Sequence, residues 1–135
     1  MAAYLAAAFS PDRQAAELAD SHTTCFVAEI DVVMIGYVQM RAGDAPAGVT
    51  NSKPVELVRI YVAQEWLGHG VGEALMRVCI NEARQAGYET LWLGVWERNE
   101  RAQAFYRKWG FRVVGVHIFH LGSDAQNDFI MERAL

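Results

Sequence analysis

A single α/β domain, with helices flanking a mixed sheet, is the fold class that three features of this sequence predict. The chain has 135 residues, enough for one hydrophobic core and too few for two. Hydrophobic residues make up 53% and charged residues 21%, an ordinary globular balance with enough apolar surface to offset the entropy of ordering. Through the middle of the chain, β-branched and aromatic runs alternate with runs of helical period. That alternation calls for right-handed strand–helix–strand crossovers and a partly parallel sheet. Paired strand runs on either side add hairpins, which make the sheet mixed.

The elements follow in order. Residues 2–19 are Ala-rich, with Leu5, Ala8 and Phe9 near helical spacing, and the pattern breaks at Ser10-Pro11. Pro11 suits the first turn of a second helix, with Ser10 as its N-cap. Cys25–Ile30 and Val33–Met40 read as two strands of a hairpin joined at Asp31-Val32. Residues 42–54 hold glycine, polar residues and two of the three prolines, which predicts a mobile loop. Val55–Val62 is a strand with apolar residues on both faces, so both faces are expected to be covered. Gly72–Ala86 is a helix with Leu75, Val78, Cys79 and Ala86 along one side, stopped by Gly87. Thr90–Val95 is a buried strand. Asn99 caps a short helix through Trp109, which Gly110 ends. Arg112–Phe119 and Asp128–Ala134 close the chain as strands.

Composition excludes several function classes. Lys and Arg number 12 against 16 Asp and Glu, a formal net charge of −4. Phosphate contacts need clustered cations, so no nucleic-acid partner is expected, and a small cationic substrate suits the charge better. Met1–Phe9 is apolar but lacks a basic flank. It is also shorter than the roughly 20 apolar residues that span a bilayer. No other stretch approaches that length, so no membrane partner and a cytoplasmic location are expected. Cys25 and Cys79 sit among apolar neighbours without metal-ligand spacing, which predicts buried thiols and no metal.

Two segments carry candidate chemistry. Leu67-Gly68-His69-Gly70-Val71-Gly72 lies between a strand and a helix. Glycines let a ligand approach the backbone, and the unpaired amides and dipole of a helix start attract phosphate. A Walker loop is excluded because Gly-Lys-Ser/Thr is absent, and the glycine spacing does not fit a dinucleotide fingerprint. An anion site and an ordinary strand-to-helix turn both remain open on the glycines alone. The second segment runs from Asn99 to Phe111. Phe105, Tyr106 and Trp109 there read as a core stripe, but a Tyr106 O–H directed into a cleft can protonate a leaving group. His69 is expected to face solvent near any bound phosphate. His117 and His120, at i and i+3 of a strand, face opposite sides and make no metal pair; His117 is a candidate cleft residue. Trp66, Trp92, Trp96 and Trp109 read as core or interface residues, with Trp96 the one placed to stack on an amine.

The strand Glu56–Val62, the glycine turn and the Asn99…Phe105-Tyr106…Gly110-Phe111 helix, in that order and spacing, resemble the GNAT family of N-acetyltransferases. The resemblance runs from about Thr24 to Leu135. The run Trp92–Glu97 with Asn99, then Gly115, His117, Phe119, Gly122, Gln126, Asp128 and Met131, is similar to the Pai-type spermidine/spermine acetyltransferases of bacteria. The resemblance implies one acetyltransferase domain over 1–135, with a short helical part at 1–23 and an acetyl-CoA-binding core at 55–111. It implies that backbone groups of Ile60, Tyr61 and Val62 hold the pantetheine arm. Amides from Leu67 through Gly68, His69, Gly70, Val71 and Gly72 to Glu73 hold the pyrophosphate, and Asn99 contacts the pantetheine. Tyr106 protonates the departing thiolate, and Glu56 falls where one branch of the family carries its base. The implied acceptor is a small amine, a polyamine first. A protein or peptide amino group, or a non-catalytic acyl-CoA-binding module, are the alternatives. Two departures stand out. Leu67 replaces the usual Gln or Arg and so cannot reach a phosphate with its side chain, and the usual first strand is missing ahead of the first helix. A partner subunit can supply that strand, and the exposed edge favours a homodimer.

Overall fold

The computed structural model describes residues 22–49, 53–122 and 124–135. The helices expected over residues 2–19, and the question of a missing first strand, lie outside the described residues. Among these residues, one sheet is built from β1 (Thr23–Ile30), β2 (Val33–Ala42), β3 (Pro54–Val62), β4 (Thr90–Trp96), β5 (Arg112–Leu121) and β6 (Asp124–Ala134). Its spatial order is β1-β2-β3-β4-β6-β5. Helix α1 (Val71–Gln85) links β3 to β4, and α2 (Glu100–Lys108) links β4 to β5. The β3–β4 pair is parallel and the other neighbours are antiparallel, the mixed sheet expected from the alternation.

The β1–β2 hairpin turns on Asp31 and Val32, both at positive φ (51° and 59°), because Ile30 pairs directly with Val33. Right-handed strand twist favours this turn geometry, which Asp tolerates and a β-branched Val rarely adopts.

Strand β3 departs from its expected reading. Gln39 of β2 pairs with Arg59 while Met40 pairs with Leu57, so Val58 is an extra residue, a β-bulge. Before it, Val55 and Leu57 are buried. After it, Ile60 and Val62 turn to the same core while Arg59 and Tyr61 are exposed. The apolar residues at both parities therefore reflect a phase shift along one buried face, not a strand covered on both sides.

The bulge also marks a parting of strands. Parallel pairing of β3 with β4 is confined to Pro54↔Thr90, Val55↔Leu91 and Glu56↔Trp92. Beyond Glu56, β3 stays with β2 as far as Val62, and β4 stays with β6 as far as Trp96. Among the described residues, the edge of β3 facing β4 thus carries no strand partner past Glu56.

Helix α1 begins at Val71 rather than Gly72, and its buried stripe is Val71, Leu75, Met76, Cys79, Ile80 and Ala83. The helical period places these residues against β1–β3. Val78 is only half-buried and Ala86 is exposed outside the helix, so neither belongs to the stripe expected of them. Leu91, Leu93 and Val95 of β4 and Met131 of β6 complete the core on the helix side of the sheet. The final strand begins at Asp124, earlier than expected. The polar run Ala125-Gln126-Asn127 does not read as strand, yet it gains partners from His120, Phe119 and Ile118 in a long hairpin.

Candidate active site

Two clefts lie along the stretch of β3, from Glu56 to Val62, over which it parts from β4. The first, of ≈ 780 Å³, lies on the helix side. Ile60 and Val62 form its strand wall, the glycine turn and the start of α1 its second wall, and α2 its third.

The glycine turn follows a 3-10 turn over Gln64–Trp66. Gly68 and Gly70 have φ of 81° and 82°, and Gly70 is the N-cap of α1 with no side chain to cap it. A Cβ at either glycine would meet nothing, so the left-handed backbone, not crowding, is what calls for glycine there. The first helical bond runs from the Ala74 amide to the Gly70 carbonyl at 3.1 Å. The amides of Gly70, Val71, Gly72 and Glu73 therefore lack intrahelical partners. The Leu67 and His69 amides bond inside the turn, to the Gln64 carbonyl at 3.2 Å and the Trp66 carbonyl at 3.3 Å. The donors left for an anion thus narrow to Gly68 and Gly70–Glu73.

Helix α2 positions Asn99 and Tyr106. The Asn99 Oδ1 accepts the Ala102 amide at 3.1 Å, the cap expected from its place in the sequence. The helix stops in a Schellman motif: the Gly110 amide donates to the Arg107 carbonyl at 3.0 Å, and the Phe111 amide to the Tyr106 carbonyl at 3.1 Å. The apolar contact that accompanies this motif joins Phe111 to Tyr106, with ring centroids 5.7 Å apart and edge to face. Tyr106 is thus held by its own carbonyl and by its ring. Burial first, and the nearby Cys79 second, raise its pKa, so its phenol is protonated at neutral pH. Cys79 itself is pushed up to about 12 by burial and is a neutral thiol there.

The second cleft, of ≈ 550 Å³, lies on the opposite face. Glu56 and Val58 of β3, Trp92 and Gly94 of β4, Asp128 and Ile130 of β6 and His117 of β5 line it, with residues 41–46 at its rim. The faces differ because Leu91, Leu93 and Val95 point to the helix-side core, which leaves their neighbours Trp92 and Gly94 on the other side. Three carboxylates, Asp44, Glu56 and Asp128, face one guanidinium, Arg41. Arg41 pairs with Glu56 at 2.9 Å. Asp128 accepts from the Gln126 amide nitrogen at 3.0 Å. The Trp92 indole N–H is buried with no hydrogen-bond partner among the described residues.

The helix-side cleft gathers Ile60, Val62, Leu67, Gly68, Gly70, Val71, Gly72, Glu73, Asn99 and Tyr106. Glu56 lines the other cleft. Tyr61 and His69 line neither: Tyr61 is exposed beside Tyr37, and His69 packs edge-on to Trp66, with ring centroids 5.3 Å apart. His117 reaches the second cleft, whereas Trp96 lines neither. Sequence reasoning missed Trp66, Arg101, Ala102 and Phe105 in the first cleft. Arg101 had a signal, since a cation in the first turn of a helix opposes the dipole and needs another reason to be there. Among the described residues, no group of three or more His, Cys, Asp or Glu is arranged to hold a metal ion. No helix among them is long and apolar enough to cross a membrane.

The pattern of the acetyltransferase (GNAT) family matches residues 2–111. The chain is 34% identical to an uncharacterized N-acetyltransferase of Mycobacterium tuberculosis over 135 residues, 100% of this chain and 82% of that protein. Among solved structures it is similar to a nourseothricin acetyltransferase, with a TM-score of 0.71 and 30% identity over 85% of this chain and 66% of that one. It is similar also to a ribosomal-protein-alanine N-acetyltransferase of Brucella melitensis, with a TM-score of 0.70 and 25% identity over 84% of this chain and 69% of that one. The parted strands, the glycine turn before α1 and the half-buried tyrosine on α2 agree with that match across most of the chain: the protein belongs to the GNAT family and is an N-acetyltransferase.

Proposed function

We propose that the protein moves the acetyl group of acetyl-CoA to the primary amine of a small cationic acceptor, a polyamine in the first instance, by direct attack. The observation that carries this reading is the pair of clefts on opposite faces of the sheet, both lying along the stretch of β3 that parts from β4 and opens a gap there. A thioester in that gap is reached from the donor side by the cofactor and from the acceptor side by the amine.

The helix-side cleft suits acetyl-CoA. The free amides of Gly68 and Gly70–Glu73 at the start of α1 suit a pyrophosphate. The unpaired edge of β3 offers the backbone groups of Ile60, Tyr61 and Val62 to the amides of a pantetheine arm, as an added strand would use them. Asn99, its Oδ1 engaged in the cap, has its Nδ2 to donate to the same arm. Arg101 adds a cation for phosphate, a charge that the apolar Leu67 side chain does not provide. His69 stands outside the lining and touches at most an outlying phosphate. Acetyl-CoA supplies the activated acyl group; the chain supplies position and protons.

Transfer needs an amine with a free lone pair. Glu56, at the last paired position before the gap, takes the ammonium proton directly or through water, and its bond to Arg41 fixes where the carboxylate sits. The amine nitrogen then bonds to the acyl carbon, the carbon–sulfur bond breaks, and the Tyr106 phenol gives its proton to sulfur; the second nitrogen proton, made acidic by the new C–N bond, returns through water to the phenolate and restores Tyr106.

The names of the two similar structures point to different acceptors, and the lining of the second cleft supports a cationic one. Its three carboxylates against one guanidinium favour a cation carrying more than one charge. The test is thiol release from acetyl-CoA across a panel of polyamines, monoamines and peptides with a free terminal alanine. Spermidine or spermine is expected to give the highest kcat/KM. A peptide that outperforms every polyamine overturns the polyamine reading, and tight acetyl-CoA binding without thiol release for any acceptor overturns transfer itself.

A further inference from the structure

The connection between β2 and β3 is far longer than the hairpin requires. Ala42 pairs with Val55, so two to five residues would close the turn, yet the chain leaves at Gly43 and re-enters the sheet only at Pro54. The described part of this excursion reaches β5. A Cβ on Gly48 would lie 2.7 Å from the Val114 carbonyl oxygen, and one on Gly115 would lie 3.3 Å from the Ala47 carbonyl oxygen. The strand order places β3, β4 and β6 between β2 and β5. Four strand spacings come to roughly 19 Å. The segment therefore crosses the face of the sheet that bears the second cleft, and Gly43–Pro46 line that cleft.

Its landing point is built for close approach. Val113 pairs with Met131 and Gly115 with Ile130, so Val114 is the extra residue of a bulge in β5. Such a bulge disturbs the ladder and re-aims the backbone. Gly48 meets it with φ of 105°, which side chains rarely adopt, and with no room for a Cβ. Two independent features thus require glycine at position 48.

We propose that residues 43–48 form a specificity strap across the acceptor cleft, with Gly48 its positioning residue, seated on the β5 bulge. Seated there, backbone and small side chains roof the cleft, and Asp44 stands at its rim. A slender, unbranched aliphatic amine passes beneath such a roof end-on, whereas a branched amine or a folded protein terminus meets it. This inference rests on the proposed acetylation of small amines and adds which of them the cleft admits.

The experiment compares kcat/KM for a linear diamine with that for an amine branched beside its nitrogen, in the wild type, Gly48→Ala and Gly115→Ala. Gly48→Ala is expected to lower the linear-to-branched ratio about tenfold, mainly through the acceptor KM, with the KM for acetyl-CoA unchanged. Gly115→Ala, whose contact is looser, is expected to shift the ratio in the same direction by less. Should Gly48→Ala fold poorly, a lowered ratio in Gly115→Ala alone sustains the strap. An unchanged ratio in every variant that folds overturns it while leaving small-amine acetylation intact. Equal loss towards both amines together with a raised KM for acetyl-CoA marks general damage and also overturns it. Absence of thiol release with every amine in the wild type overturns the amine reading itself.

Discussion

Replacing Tyr106 with Phe is expected to lower kcat about a hundredfold, or about 2.7 kcal/mol of transition-state stabilisation, within the usual range for removal of a general acid. The acetyl-CoA dissociation constant should change by no more than about twofold, because the deleted atom acts on the leaving sulfur and not on the bound cofactor. Stability should hold as well. The edge-to-face contacts of ring 106 with Phe105 and Phe111, both at 5.7 Å, need only the ring, and the Schellman bonds use its backbone. The pH dependence gives an independent check. Burial raises the phenol pKa, so the proton-donating form is complete at neutral pH and is lost only above the ordinary tyrosine value near about 10. Wild-type kcat/KM should rise with pH as the acceptor amine loses its proton, and fall only beyond that value. In Tyr106→Phe the alkaline fall should disappear. A full-strength Phe variant would remove Tyr106 from proton transfer.

Gly36→Ala is expected to cost about 2–3 kcal/mol of stability, lowering the melting temperature by roughly 8–12 °C, and to weaken acetyl-CoA binding at the same time. Gly36 lies in β2 opposite Val62. An added Cβ would stand 2.6 Å from the Tyr61 carbonyl oxygen, and 3.2 Å from both Leu75 Cδ1 and Val71 Cγ1. The side chains can turn aside, but the carbonyl moves only if β3 moves. Tyr61 sits between Ile60 and Val62, and Val71 is the first residue of α1, so the displacement reaches both the unpaired strand edge and the free helix amides. Thermal melting with and without acetyl-CoA reads both effects. Lower stability with an unchanged ligand-induced shift would confine Gly36 to packing.

Much of this architecture was legible because local chemistry and global fold agree. Asn99 reads as a cap and is one. Gly87 and Gly110 read as helix stops and adopt the left-handed conformation that ends α1 and α2. The glycine turn reads as a helix start with free backbone donors, and the amides of Gly70–Glu73 precede the first helical bond, from Ala74 to Gly70. What could not be read depends on register. Val58 looks like one more apolar residue of a strand, and only its failure to pair reveals the bulge. Gly36 and Gly48 look like a weak point in a strand and a loop residue, whereas each is fixed by a carbonyl from a distant element. Asp128 and Glu56, far apart in the chain, line one cleft only because β6 returns beside β4. Glu132 of the same strand is instead buried, and pairs with Arg112 at 3.4 Å. Spacing in the chain carries none of this.

A single molecule that spans both clefts shows whether acetyl transfer runs through the sheet. A conjugate in which the sulfur of coenzyme A is joined through an acetyl bridge to a primary nitrogen of spermidine would lie in the donor cleft, thread the gap between β3 and β4, and end among Glu56, Asp128 and Trp92. Steady-state inhibition should be competitive against acetyl-CoA and against the amine alike, with an inhibition constant below the dissociation constant of either substrate. Inhibition competitive against acetyl-CoA alone, with no gain in affinity over coenzyme A, would contradict a reaction carried out through the gap between the two faces of the sheet.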